Sequence, residues 1–292
     1  MYKEDELKIY IKNSVLRKFS NTIKVRLSKE LATKYDNGNY ENYLTNMQNC
    51  LNQINSLNIK YPSNANPTLY VYIVPDENYA QLLRVPEAFD NGKGGGKPVK
   101  CYDLDGFHTA YGLSQNLLEN YDIENQSISR LENEIHELSH IIHSEFFFGT
   151  NHFLCEGLAE ALPLYILNYE DKFDEHRNLL KQLSEEEIYS AKELIDSEKD
   201  NTYGIKAALP NRSCSFRYSY ISSYLFVRGC IETIEQLNNI NKKEALQKFL
   251  EIVKHSNCHN EWLIFDIANS IGMSPEYLLT TKDIQLNIIK NL

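Results

Sequence analysis

Apolar residues recur at helical spacing through Ile128, Leu131, Ile135, Leu138 and Ile142, a stripe that predicts one buried helix face from about Ile128 to Phe147. Ser129 and Glu132 form a Ser-x-x-Glu capping box at its start, and Gly149 marks its stop. A second stripe, Leu44, Met47, Leu51, Ile54 and Leu57, predicts an amphipathic helix within residues 1–60, a region that reads as helical and strongly polar. The dense run Leu69-Tyr70-Val71-Tyr72-Ile73-Val74 predicts a buried strand that ends at Pro75. Residues 76–90 read as a helix, Asn91 to Pro98 as a flexible loop, and residues 99–113 as one or two strands. Beyond Asp171 the pattern is mostly helical and closes on a helix pair over Trp262 to Leu279. The expected class is α+β: an N-terminal helical region (1–60), a strand-bearing region with the 128–147 helix (61–150), and a helical region (151–292).

The candidate chemistry sits on the first of these stripes. His136-Glu137-Leu138-Ser139-His140 places two histidines at i and i+4, so both imidazoles face one side of the helix and can share a metal ion. Glu137 lies about 100° around the same helix, within reach of a water activated by the metal without being a ligand. Two histidines leave a tetrahedral zinc short of a third protein ligand, and Glu156 in Cys155-Glu156-Gly157-Leu158-Ala159-Glu160 is the candidate. Glu160, four residues on, can accept the spare ring N–H of a ligating histidine, His136 first. Leu154, Leu158, Ala159, Ala161 and Leu162 make this segment a poor place for idle charge. Pro163 predicts a kink or break directly after the ligand turn. His108, His143 and His152 are spare histidines, and Cys155 diverges from Glu156 by about 100° and packs as a small apolar residue.

The His-Glu-x-x-His helix followed by a Glu-Gly-x-Ala-Glu helix resembles the gluzincin metallopeptidases, nearest in pattern to the bacterial collagenase peptidase unit. The resemblance covers about residues 128–168. It implies a zincin-like fold with an upper strand-containing and a lower helical sub-domain, one Zn2+ per chain, and hydrolysis of peptide bonds with Glu137 as general base. It also implies an oxyanion-stabilising tyrosine on the aromatic segment Phe216 to Phe226, with Tyr218 the first candidate and Tyr220 the second. Tyr220, Tyr224 and Val227 at helical spacing read equally as core. The strand just upstream of the zinc helix lies at the cleft edge in that scaffold. Phe107 to Leu113 is the matching segment, where Gly112 would admit a substrate backbone, although an interior strand accounts for the same residues.

Composition narrows the partners. The net charge of −10 over 292 residues argues against nucleic acid and anionic membranes, leaving a peptide or protein as the expected substrate. No apolar run approaches a membrane span, and the start Met-Tyr-Lys-Glu-Asp-Glu-Leu-Lys lacks the apolar core of a signal peptide, which points to the cytoplasm. Six cysteines without regular spacing read as reduced thiols. The Gly-rich loop is not a phosphate loop, because Pro98 stands where Ser or Thr is required. Two alternatives stay open: a partner-specific zinc protease of the anti-repressor type, suggested by the short His140–Glu156 spacing, and a non-catalytic binding protein stabilised by structural zinc.

Overall fold

The structure is a computed structural model that describes residues 12–35, 40–57, 68–75, 96–103, 106–119, 134–141, 152–167, 180–200, 218–255 and 260–292. The chain is mixed α and β and divides into two compact units, 1–141 and 142–292.

The first unit is built on a five-stranded sheet of order β1-β2-β3-β5-β4, with β1 Ser14–Lys18, β2 Ile23–Ser28, β3 Leu69–Val74, β4 Gly96–Asp103 and β5 Gly106–Ser114. β2, β3 and β5 run parallel, while β1 and β4 pair antiparallel at the two edges. β3 is buried at every position, as a strand flanked on both sides should be, and its continuous apolar run reflects that place. On β2 the period is two: Ile23, Val25 and Leu27 are fully buried on one face. Lys24 and Arg26 point to the other, over the rings of their register partners Tyr70 and Tyr72. Helix α1 (Lys29–Lys34) follows β2 directly, capped by the Ser28 hydroxyl.

Helix α2 (Glu41–Asn55) buries Tyr43, Leu44, Met47, Cys50, Leu51 and Ile54, the predicted stripe. The Tyr43 hydroxyl lies 3.4 Å from that of Tyr111, which ties α2 to the Val25–Val71–Tyr111 face of the sheet. A short α3 (Gln115–Glu119) leaves β5.

Three expectations are corrected here. Residues 1–60 are not a separate helical region, because β1 and β2 join the sheet of residues 61–141. Their charged residues masked a clean alternation that ends in β-branched and aliphatic side chains on one face. Gly96, Lys97 and Pro98 belong to β4 rather than to a loop; at the sheet edge a strand tolerates a proline whose missing N–H costs no ladder bond. β5 is interior, so Gly112 is bracketed by Tyr72 and Lys97 and cannot offer its backbone to an extended substrate. The predicted helix over 76–90 and the Ser129/Glu132 cap lie outside the described residues.

The second unit is helical: α5 (His152–Ile166), a 3-10 turn (Glu185–Glu187), α6 (Ala191–Lys199), α7 (Tyr218–Asn238), α8 (Lys242–His255), α9 (Asn260–Ser270), α10 (Pro275–Thr280) and α11 (Asp283–Lys290). α7 is its central column, buried around most of its circumference. Gly157 of α5 abuts the Ser223 carbonyl of α7, and Gly229 of α7 abuts Ile284 of α11, so in both places only a missing Cβ lets the helices meet. Phe153 and Phe226 stack edge to face across the α5–α7 contact, with centroids 5.7 Å apart. α5 does not break after the ligand turn: it runs through Pro163, which is buried, to Ile166, and the lost N–H forfeits one ladder bond. The closing helix pair is as expected, with α9 ending on Gly272 in the left-handed region and α10 opening on the Ser274 cap. No helix among the described residues is long and apolar enough to cross a membrane.

Candidate metal centre

Residues 134–141 are helical, and we label them α4. Ile135, Leu138 and Ile141 are fully buried, which fixes the rotation of the helix and leaves His136, Glu137 and His140 half-buried on the neighbouring face. The two rings meet edge to face at 4.8 Å, and their Nε2 atoms lie 3.1 Å apart. Two ligands held about 2.0–2.1 Å from a tetrahedral zinc are separated by about 3.3 Å, so the imidazoles already stand at ligand spacing. The Ser139 hydroxyl donates to the His136 carbonyl at 2.6 Å, a bond within the helix.

Glu156 projects from the second turn of α5 and is only 6% exposed. Such a carboxylate needs donors or a cation, and in its own unit it has the His152 ring, whose Nε2 lies 3.5 Å from Oε1. The donor atoms of His136, His140 and Glu156 all lie within 4.8 Å of one another, so these three residues could hold a metal ion. The group offers two nitrogens and one carboxylate oxygen, with no fourth protein donor in it among the described residues. His108 and His143 lie outside the residues whose side chains are described.

The first turn of α5 is itself anchored. Glu198 of α6 accepts the backbone N–H groups of His152 (3.1 Å) and Phe153 (2.5 Å), capping the helix from 45 residues away. Burial raises the Glu198 carboxyl despite those two donors. Sequence reading had no signal for this cap, since helix caps are sought next to the helix. For the His152–Glu156 pairing the sequence does carry a signal, the i, i+4 spacing, so His152 is not a spare histidine.

The tyrosines separate. The Tyr218 hydroxyl donates to Glu187 at 2.8 Å; burial and that hydrogen bond push the phenol up to about 12. Tyr220 lies on the opposite side of the helix start, on the face of Ser223, Tyr224 and Val227. That face packs on α5, because Gly157 meets Ser223 and Val227 there. Further along it, Arg228 donates to Tyr224 (3.0 Å) and to Glu232 (2.6 Å). Burial pushes the Tyr224 phenol up to about 12 against the opposing pull of Arg228, and the charges of Glu232 and Glu160 add to the rise. Glu160 itself is half-buried.

No protein-family model matches the chain, and no curated protein matches it in sequence.

Proposed function

We propose that the protein is a zinc-dependent peptidase of the gluzincin type with a zincin-like fold, in which His136, His140 and Glu156 hold one zinc and Glu137 is the general base. The observation that carries this reading is the three-donor group itself, two nitrogens at ligand spacing and one nearly buried carboxylate, with a glutamate next to the first histidine. A zinc bound there supplies Lewis-acid polarisation of the scissile carbonyl and lowers the pKa of a water toward about 7. The Glu137 carboxylate takes one proton from the attacking water as its oxygen bonds to the carbonyl carbon. It delivers that proton to the amine nitrogen as the C–N bond breaks, so water is consumed and two peptide ends are released. Glu160 orients a ligand histidine, and Tyr220 donates to the oxyanion in preference to Tyr218, whose hydroxyl is given to Glu187. The substrate is a peptide or protein rather than a polyanion, in keeping with the acidic chain.

Glu137→Gln tests the base. The variant is expected to bind zinc as the wild type does while losing at least about 100-fold in hydrolysis of an internally quenched peptide library. Wild-type turnover in the zinc-loaded variant would defeat the mechanism.

A further inference from the structure

Glu156 must meet two demands that conflict in an isolated side chain. It has to lose nearly all contact with water, and it has to point one oxygen at a small target while three side-chain torsions remain to be fixed. Helical side chains lean toward the N-terminus, so Glu156 leans over the residue four positions earlier. That residue is His152, whose Nε2 stands 3.5 Å from Glu156 Oε1. The His152 backbone is pinned in turn, because Glu198 accepts its N–H and that of Phe153. A capped turn therefore carries a ring that meets one carboxylate oxygen of Glu156.

We propose that His152 is a positioning residue for the third metal ligand: its Nε2–H donates to Oε1 and sets the torsions of Glu156 for binding through Oε2. The role rests on the metal reading of His136, His140 and Glu156. His152 itself does not ligate, and it stands outside the three-donor group. A hydrogen bond of this kind to a ligating group is worth about ten- to a hundredfold in metal affinity. It adds little to folding, because the ring is more than half exposed and the Glu198 cap holds the backbone rather than the side chain.

The test is the zinc affinity of the metal-free full chain, measured by competition with a chromophoric chelator for wild type, His152→Ala, His152→Gln and Glu156→Ala, alongside thermal unfolding of each metal-free form. His152→Ala is expected to bind zinc about ten- to a hundredfold more weakly with unfolding unchanged, while His152→Gln, which keeps an N–H donor, stays within about threefold of wild type. Wild-type affinity in His152→Ala overturns the role, as does a glutamine variant no better than the alanine one. A loss as complete as that of Glu156→Ala also overturns it, since it would make His152 a ligand. Failure of the metal reading looks different: the wild type itself then binds no zinc.

Discussion

Nε2 atoms 3.1 Å apart on His136 and His140 can be bridged by a single proton, one ring donating and the other accepting. A divalent cation accepts both lone pairs at once, and with Glu156 it also neutralises a carboxylate that is nearly out of water. At this scale the tyrosines offer a clear discrimination. Tyr220→Phe is expected to lower turnover about 100-fold, the lower end for removing one oxyanion donor, with zinc content unchanged. Tyr218→Phe removes a bond to Glu187 and is expected to leave turnover within about twofold. Single-turnover hydrolysis of one peptide by both variants decides between them: a large loss confined to Tyr218→Phe would reverse the assignment. The motif residues were legible because an i, i+4 histidine pair is a local pattern. The Tyr218–Glu187 bond was not, because nothing in a sequence says which of many tyrosines meets which glutamate.

Among the elements, α5 depends most on a close approach. A Cβ at Gly157 would overlap the Ser223 carbonyl oxygen and crowd Val227, and the Ser223 backbone cannot yield without moving α7. Gly157→Ala is therefore expected to cost about 1–3 kcal/mol, read by urea unfolding of the full chain; an unchanged midpoint would show that the α5–α7 contact is looser than described. Elements with one strong period were readable in advance. The α2 stripe and the β3 run needed only the count of apolar positions, and each appears where that count put it. β1 and β2 were hidden because Lys18, Lys24 and Arg26 dilute the apolar count, although three buried aliphatic residues alternate with them. Proline misled twice: Pro98 suggested a loop but sits on an edge strand, and Pro163 suggested a break but lies within a helix held by its packing. In both places the local rule was right about the lost N–H and silent about the tertiary setting that tolerates it.

For the molecule as a whole, the sequence supplied the α+β class, and the structure adds that the strands belong to residues 1–141 and that residues 142–292 are helical where described. The long-range order of the sheet, with the β4–β5 hairpin placing β5 inside, could not be read from patterns that are blind to pairing. A metal held by these three residues would couple the site to the stability of the folded chain, since a ligand taken up only by the native state adds about 2.7 kcal/mol at 100 times its Kd. The central claim is that His136, His140 and Glu156 hold one zinc, and the most direct measurement is the zinc content of the purified wild type and of Glu156→Ala after identical reconstitution and dialysis. The account predicts about one zinc per wild-type chain, lost or much weakened in the variant. A wild type that retains no zinc after reconstitution, or a Glu156→Ala variant that retains as much as the wild type, would contradict it.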